Sequence, residues 1–475
     1  MFKTPFNAMI NLKKTVLILL LSLFFSSCAT DLDDNPVSNN DINDFIYRGL
    51  QTYYLYNENV PDLVEDKTAS GDYNNYLSQN SPEDFFESLI FDRQYVDRFS
   101  WLTDDYLALE QQFQGLSTTN GMEFGLVRFS PGSNEIFGFV KYVLPGTNAE
   151  NEGLSRGVLF TGINNTSLTV SNFRALLSNE TYTLNLASYN STTNEVASNG
   201  QSVTLTKQVY TENPVFISNT FIVDTETIGY LMYNKFTGDF NTQLNATFGS
   251  FASSGIDQLV LDLRYNPGGS VNSATLLASM ITGQFNGQVF SRLNYNSQLS
   301  NNNVAYKFTN SFDGQSLNSL NLSKVYVLTT GNTASASEMI VNSLKAYIDV
   351  VQIGTTTVGK SQASITLYDS PDFSRSQVNP THLYAMQPLV AATTDVNNSG
   401  VPNNGIIPQT ELAEDIFNLG ILGDVNEPLL AEAISQIDAL NRPAPQQPIK
   451  PAENLIHSTD LVPLGYDMYL EELPQ

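Results

Sequence analysis

The chain has 475 residues, of which 41% are hydrophobic and 11% aromatic, enough to fill the cores of several domains. Its 48 acidic residues outnumber its 22 lysines and arginines and give a formal charge of -26. Because such a chain repels nucleic acids and anionic lipid headgroups, we expect neither of them as a binding partner.

The first 28 residues have the features of a secretory signal. Lys13 and Lys14 precede an apolar run from Val16 to Phe25 that is short for a transmembrane helix. Two serines and then Cys28, the only cysteine of the chain, follow this run. The pattern resembles a bacterial lipobox, whose cysteine is acylated, and an ordinary signal peptide is the alternative. We therefore expect residues 1–28 to be a lipoprotein signal peptide, with Cys28 anchoring the protein in the cell envelope, on the periplasmic or the surface side of the outer membrane.

A helical domain is predicted within residues 29–116, after a short polar tether. Apolar residues recur at three- and four-residue spacing in the segment DINDFIYRGLQTYYLY. The segment SPEDFFESLIF offers Ser81 as a helix N-cap before Pro82, and a third helix is predicted in TDDYLALEQQFQGL. The single tryptophan, Trp101, precedes this third helix and is interpreted as a core residue.

Short β runs separated by turns predict a β-domain at residues 117–212. A short helix around Ala149 is followed by Gly153 and Gly157, which permit tight turns before the next strand. This order of features resembles a PDZ domain, in which a peptide binds as an added strand and its carboxylate meets backbone N–H groups. A generic small β-domain is the alternative. The resemblance implies that the carboxylate-binding loop and the start of the peptide-binding strand are Phe124, Gly125, Leu126 and Val127.

Residues 213–440 are predicted to form an α/β domain with a mainly parallel sheet. The apolar segments DQLVLDLRY, KVYVLTT and DVVQIG read as buried strands, and they alternate with segments of helical periodicity. A proline-rich stretch, NRPAPQQPIKPAEN, follows Leu440. Residues 441–475 are therefore interpreted as a linker and a C-terminal tail.

The segment DLRYNPGGS predicts an anion-binding turn in this α/β domain. Gly268 and Gly269 stand between a buried strand and a helix, where exposed N–H groups can bind a phosphate or the oxyanion of an acyl-transfer reaction. Neither of the common glycine-rich nucleotide-binding patterns is present in this segment, so a nucleotide site has little support.

The segment GNTASASE places serines at the start of a predicted helix, where the helix field favours a developing oxyanion. The alternative is that Ser335 or Ser337 simply caps this helix. The chain has two histidines, so a Ser-His-Asp triad would need His382, and no G-x-S-x-G pattern surrounds a nearby serine. Lys360, in TVGKSQAS, can act as a general base if burial lowers its pKa, and is otherwise a surface charge.

These motifs together resemble those of the C-terminal processing peptidases, peptidase family S41. The resemblance rests on TASASE followed by GK, with Ser335 and Lys360 25 positions apart, and on DLRYNPGG upstream, and it extends over about residues 121–440. The helical region, with the phrase DRFSWLTDDY, resembles Bacteroidota lipoproteins of this group. The implied fold is an α/β core related to Clp-type proteases and crotonases, with a PDZ domain and a helical N-terminal domain. The implied site has Ser335 as nucleophile, Lys360 as general base and an oxyanion hole of N–H groups from Gly268, Gly269 and Ala336.

The sequence departs from the family pattern after the lysine. Many members carry a glutamine four residues after it, a position that Ser364 occupies here, while the glutamine is Gln362. Gln362 and Ser364 are therefore the two candidates for the residue that orients the lysine.

The features predict a lipid-anchored serine endopeptidase that hydrolyses unfolded or tail-exposed proteins of the envelope and recognises their C-termini through the PDZ domain. The alternative is an S41-fold protein that binds peptides without cutting them; retention of Ser335 and Lys360 argues against it, and the displaced glutamine argues for it. A hydrolase of esters or glycans is disfavoured by the missing G-x-S-x-G pattern and by the PDZ resemblance. The predicted chemistry needs no metal or organic cofactor, membrane contact is expected through the anchor only, and the oligomeric state is left open.

Overall fold

The computed structural model describes residues 37–438, 454–462 and 465–474. None of the helices in these ranges is long and apolar enough to cross a membrane. The predicted signal peptide and Cys28 lie outside the described residues. The α-helices, in chain order, are α1 (Asn39–Tyr53), α2 (Pro61–Val64), α3 (Tyr73–Leu77), α4 (Pro82–Ser88), α5 (Tyr106–Phe113), α6 (Asn148–Asn151), α7 (Phe173–Ser178), α8 (Asn241–Ser254), α9 (Val271–Thr282), α10 (Ala336–Leu344) and α11 (Pro428–Ile437).

The strands form three large sheets and several small ones. In chain order they are β1 (Trp101–Thr103), β2 (Leu116–Thr119), β3 (Met122–Arg128), β4 (Ile136–Val143), β5 (Leu159–Ile163), β6 (Thr166–Ser167), β7 (Thr181–Asn190), β8 (Glu195–Thr206), β9 (Gln208–Thr211), β10 (Val215–Val223), β11 (Glu226–Tyr233), β12 (Gln258–Asp262), β13 (Gly268–Ser270), β14 (Val289–Tyr295), β15 (Val304–Lys307), β16 (Ser311–Phe312), β17 (Gln315–Ser316), β18 (Lys324–Thr329), β19 (Asp349–Gly354), β20 (Gln362–Ile365), β21 (Leu367–Tyr368), β22 (Ala385–Gln387), β23 (Leu389–Thr394), β24 (Thr410–Glu411), β25 (Asn454–His457) and β26 (Asp467–Leu470).

The N-terminal region is helical, as the sequence predicts, and its helices begin at side-chain caps. The Oγ of Ser81 accepts the N–H of Asp84 at 3.2 Å and so caps α4. The buried apolar residues of α1 belong to the same hydrophobic cluster as Leu259 and Leu261 of β12 and Val325 and Val327 of β18, so this region shares a core with one face of the parallel sheet. Trp101 is not a core residue: it is 39% exposed, because β1 is a three-residue strand at the edge of a small sheet.

The predicted β-domain forms a sheet of its own, with strand order β25-β3-β4-β5-β7-β8 and β6 beside β5. Ala149 in α6 is fully buried, and Gly153 and Gly157 have φ of +76° and +84°, as the predicted turns require. The segment Phe124–Val127, however, lies entirely within β3 and does not form a loop. Its side chains are largely buried in the pleated strand, and its backbone pairs with strands on both sides.

The α/β region contains two six-stranded sheets. In the first, with order β10-β11-β12-β18-β19-β24, every neighbouring pair is parallel except β10 and β11, which confirms the predicted mainly parallel sheet. The second is mixed, with order β13-β26-β20-β23-β14-β15, and the sequence did not predict it. The two sheets matter for function because β13, β18, β19 and β20 flank the segments that carry the predicted site.

The last residues are more than a linker and a tail. Within residues 441–475, β25 joins the sheet of the β-domain and β26 joins the second sheet of the α/β region. Each of these strands has four residues, too few for a periodic pattern to reveal it.

A buried ionic cluster connects the β-domain to the α/β region. Arg264 is fully buried and binds Asp262, Glu414 and Glu427, and Arg156 of the β-domain reaches Glu414 at 2.7 Å. Although burial raises the pKa of Glu414, the positive charges of Arg156 and Arg264 hold it at about 2. The carboxylate therefore stays charged at neutral pH and binds both regions together.

Candidate active site

Ser335 directly precedes α10 and has an unusual backbone conformation. Its φ of +64° and ψ of -117° lie in a region that residues other than glycine rarely adopt, at a cost of about 1–3 kcal/mol. The residue is fully buried, and its Oγ has no hydrogen-bond partner among the described residues. Ser337, in contrast, donates its hydroxyl to the carbonyl of Asn266 at 3.2 Å. The strained backbone thus presents an unengaged hydroxyl, which a helix cap alone does not require.

The predicted glycine turn lies against Ser335. Gly268 has a φ of +113°, and a Cβ placed on it would lie 2.6 Å from the Cβ of Ser335. Only glycine permits this approach. The N–H of Gly268 donates to Oδ1 of Asn266 at 2.9 Å, so this predicted oxyanion donor is engaged in the structure. Gly269, the second predicted donor, follows Gly268 in β13. Ala336, the third, is the first residue of α10, where backbone N–H groups lack an acceptor within the helix.

Lys360 lies in the loop between β19 and β20 and is fully buried. Burial lowers its pKa to about 8, against the opposing effect of the negative charges of Asp467, Asp97 and Glu338. Its Nζ lies 5.1 Å from the ring centroid of Phe99 and donates to the carbonyl oxygen of Tyr466 at 3.0 Å. A lysine in these surroundings can be neutral near physiological pH, as a general base must be.

Glu338, for which no role is predicted from the sequence, joins the two predicted catalytic segments. Its Oε2 accepts the N–H of Ser335 and the N–H of Lys360, each at 2.8 Å. Its Oε1 accepts the N–H of Gly359 at 2.7 Å and the hydroxyl of Thr357. One buried carboxylate therefore holds the serine turn and the lysine loop together. The signal was present in the sequence, since a glutamate three residues after a serine at a helix start is the capping-box pattern.

The helical region also contributes to the lysine loop, through the first residues of DRFSWLTDDY. Nη2 of Arg98 donates to the carbonyl oxygens of Val358, Gly359 and Asn403 at 3.2, 3.1 and 3.1 Å. The next residue, Phe99, supplies the ring beside Lys360. The N-terminal region is thus one wall of the site.

The two candidate orienting residues point elsewhere. Nε2 of Gln362 donates to the hydroxyl of Tyr56 at 3.2 Å, and Oγ of Ser364 donates to the carbonyl of Met468 at 3.2 Å. Across the described residues, neither side chain forms a hydrogen bond with Lys360. Their orienting role stays a prediction.

His382 does not assemble a triad with Ser335. Its Nε2 lies 3.0 Å from the Asp369 carboxylate, and its Nδ1 accepts the N–H of Tyr384 at 3.0 Å. Both ring nitrogens are engaged, so neither is left to accept a proton from a serine. The described ranges also contain no group of three or more His, Cys, Asp or Glu side chains that could hold a metal ion.

Comparison with known proteins gives matches over several parts of the chain. Peptidase family S41 matches residues 227–385, and the peptidase S41 N-terminal domain matches residues 41–101. A "Probable CtpA-like serine protease" of Staphylococcus epidermidis is 25% identical over 205 residues, which are 41% of this chain and 40% of that protein. A "Carboxyl-terminal-processing protease" of Picosynechococcus is 26% identical over 209 residues, which are 44% of this chain and 46% of that protein. The chain thus spans less than half the length of these curated relatives.

Solved structures cover more of the chain. The crystal structure of a "Putative S41 protease" from Bacteroides fragilis has a TM-score of 0.67 and 25% identity, over 84% of this chain and 97% of that one. A photosystem II D1 C-terminal processing protease has a TM-score of 0.51 and 16% identity, over 84% of this chain and 98% of that one, and shows likeness of fold. The residues that match peptidase family S41 include Gly268, Ser335, Glu338 and Lys360, so the chain is similar to this family in the part that carries the candidate site.

Proposed function

We propose that the chain is a serine endopeptidase in which Ser335 is the nucleophile and Lys360 the general base. The observation that carries the proposal is the Glu338 carboxylate, which binds the backbone N–H groups of both residues. Both side chains are fully buried, so the serine hydroxyl and the amine are shielded from water. The comparisons support the same class of enzyme, a serine peptidase.

The chemistry follows from these groups. With a pKa of about 8, roughly a tenth of Lys360 is neutral at pH 7 and able to take the hydroxyl proton as Ser335 attacks a peptide carbonyl. The N–H groups of Gly269 and Ala336 are the proposed donors to the oxyanion, and Gly268 joins them if Asn266 releases its N–H. Lys360 then gives its proton to the leaving amine, and water hydrolyses the acyl-enzyme.

We further propose that the β-domain is a PDZ domain that binds the C-termini of unfolded or tail-exposed proteins along β3. The support is the edge of β3, where Gly125 and Leu126 already pair with an added antiparallel strand, β25. The carboxylate would lie beyond the start of β3, since an antiparallel peptide ends there.

The lipid anchor is part of the same proposal. The apolar run before Cys28 and the position of that cysteine support acylation and a location in the cell envelope. Metabolic labelling with a palmitate analogue checks this: the label is expected in the unchanged chain and not in Cys28→Ala, and equal labelling of both excludes the anchor.

The proposed activity is tested with the chain lacking residues 1–28, which retains every described residue. We expect it to cleave an unfolded protein that ends in apolar residues, and to cleave more slowly the same protein ending in two aspartates, since an apolar C-terminus is expected to bind β3. Mass spectrometry of the fragments is the measurement, with Ser335→Ala as the blank. If the unchanged chain binds both proteins but leaves them intact between pH 6 and 9, the peptide-binding alternative replaces the peptidase.

A further inference from the structure

The strand β26 lies between the two walls of the proposed active site. It pairs in parallel with β13, which carries Gly268 and Gly269, and with β20, which begins two residues after Lys360. In the order of the second sheet it stands between β13 and β20. The C-terminal segment of the chain thus occupies the place where an extended substrate would lie between the glycine turn and the lysine loop.

Its backbone contacts the proposed catalytic groups directly. The carbonyl oxygen of Tyr466 accepts the hydrogen bond from Nζ of Lys360 at 3.0 Å, and the N–H of Asp467 donates to the carbonyl of Pro267 at 3.1 Å. A Cβ placed on Gly268 would lie 2.1 Å from the carbonyl oxygen of Asp467 and 2.9 Å from Oγ of Ser335. The segment therefore passes immediately beside the nucleophile. The lysine donates to the segment, and the hydroxyl of Ser335 has no hydrogen-bond partner within residues 37–438, 454–462 and 465–474.

The side chain of Asp467 adds an electrostatic effect. It is fully buried, and the ammonium groups of Lys360 and Lys235 are the charges that act most strongly on it. Burial raises the pKa of this carboxyl, and the two lysines lower it in part. In its ionised form Asp467 favours the ammonium form of Lys360, which cannot accept a proton.

The same segment occupies the edge of the β-domain. In β25, Ile456 pairs with Leu126 and His457 with Gly125, in the antiparallel direction that strand addition of a peptide requires. Ile456 is buried in the core of the β-domain, and Oγ of Ser458 accepts the N–H of Phe124 at 3.2 Å. Both proposed peptide sites are thus filled by strands of the C-terminal segment, β25 at the β-domain and β26 at the catalytic groups.

Contacts beyond the catalytic groups fix the register of β26. Tyr469 stacks on Phe113 with ring centroids 4.3 Å apart. The Glu471 carboxylate accepts hydrogen bonds from Ser270 and, at 2.8 Å, from Asn272 at the start of α9. Tyr469 is buried and Glu471 is exposed, so the tail is held both by packing and by hydrogen bonds at the surface, as a bound peptide would be.

We propose that the C-terminal segment, as described over residues 454–462 and 465–474, is an intramolecular pseudosubstrate. Its strand β25 fills the β3 edge, its strand β26 fills the catalytic cleft beside Lys360, and the segment must leave before a substrate can be cut. The inference rests on the proposed function of Ser335 and Lys360. It also identifies the ligand class of the two sites, which is a peptide in extended conformation at each site, with buried apolar side chains at the positions of Ile456, Met468 and Leu470. The competing view is that β26 is an ordinary strand that the fold needs.

The test places a charge in β26 and compares it with a charge on an exposed residue of the same segment. In the chain lacking residues 1–28, Met468→Arg is expected to raise the initial rate of peptide cleavage at least tenfold, because Met468 is fully buried and arginine cannot be accommodated there. Glu472→Arg, at an exposed position, is expected to leave the rate within twofold. A synthetic peptide of residues 454–474 is expected to suppress the raised rate. The same peptide carrying Met468→Arg is expected to leave the raised rate unchanged.

Hydrogen exchange separates release of the segment from unfolding. In Met468→Arg, the amides of residues 465–470 are expected to exchange faster while those of β12 and β18 keep their protection. If the amides of β12 and β18 lose protection together with β26, or if the rate falls, β26 is a strand that the fold needs and the inference is wrong.

A different result separates the inference from the proposed function. If neither the unchanged chain nor any tail variant cleaves, the peptidase proposal has failed. The inference is then decided by how tightly the tail peptide binds to each chain. Fluorescence anisotropy of the labelled 454–474 peptide is then expected to show binding to the Met468→Arg chain at least tenfold tighter than to the unchanged chain, whose sites are already filled. Equal affinity of the peptide for both chains, or no binding to either chain, overturns the pseudosubstrate inference.

Discussion

Replacing Ser335 or Lys360 with alanine is expected to lower kcat/KM for peptide cleavage by at least about 10³-fold. Ser335 supplies the bond-forming oxygen, and removal of a nucleophile or its base costs serine peptidases several orders of magnitude. Lys360 is fully buried beside Phe99, so no solvent-exposed group can take its place. Because the two residues act in one step, the double variant is expected to be no slower than either single variant.

The pH dependence of cleavage distinguishes Lys360 as a base from Lys360 as a structural residue. Its pKa of about 8 leaves the amine protonated at lower pH, so kcat/KM is expected to rise about tenfold per pH unit below 8 and to level off above it. Lys307→Ala, at an exposed lysine, is the matched control and is expected to keep both rate and profile. A flat profile between pH 6 and 9, or more than a tenth of the activity in Lys360→Ala, would exclude Lys360 as the base.

The parts of the fold that the sequence predicts are those with a local signal. β12 and β18 are rich in consecutive apolar residues, as strands buried on both faces must be, and a helix and turns separate them. The turn at Gly268 is readable because only glycine tolerates its φ of +113°. Ser335 and Lys360 were found through motifs, and the structure adds what motifs omit: the strained backbone of one and the burial of the other.

The parts that the sequence missed depend on distant contacts. Ile456 pairs with Leu126, more than 300 positions earlier, and four-residue strands such as β25 and β26 have no period of their own. Arg98 reaches the carbonyl of Asn403 over a similar separation. Because such pairings are decided by tertiary packing, the role of the C-terminal segment and of DRFSW became visible only in the folded chain.

Replacing Glu338 with alanine is expected to lower both the stability of the fold and the rate of cleavage. The change leaves the buried N–H groups of Ser335, Gly359 and Lys360 without their acceptor, and each unsatisfied group costs about 1–3 kcal/mol. Thermal unfolding is therefore expected at a clearly lower temperature. Since the serine turn and the lysine loop also lose their common anchor, kcat/KM is expected to fall by about 10²–10³-fold, with little change in KM.

Glu338→Gln separates the positioning role from a purely structural one. The amide keeps one oxygen acceptor and most of the side-chain volume, so stability and rate are expected to lie between those of Glu338→Ala and the unchanged chain. The change also removes a negative charge that raises the pKa of Lys360, so the midpoint of the pH–rate profile is expected to move to lower pH. Glu432→Gln, on α11, is the control and is expected to leave the midpoint unchanged. An unchanged midpoint in Glu338→Gln, with only its stability lowered, would mean that Glu338 holds the fold without acting on the lysine.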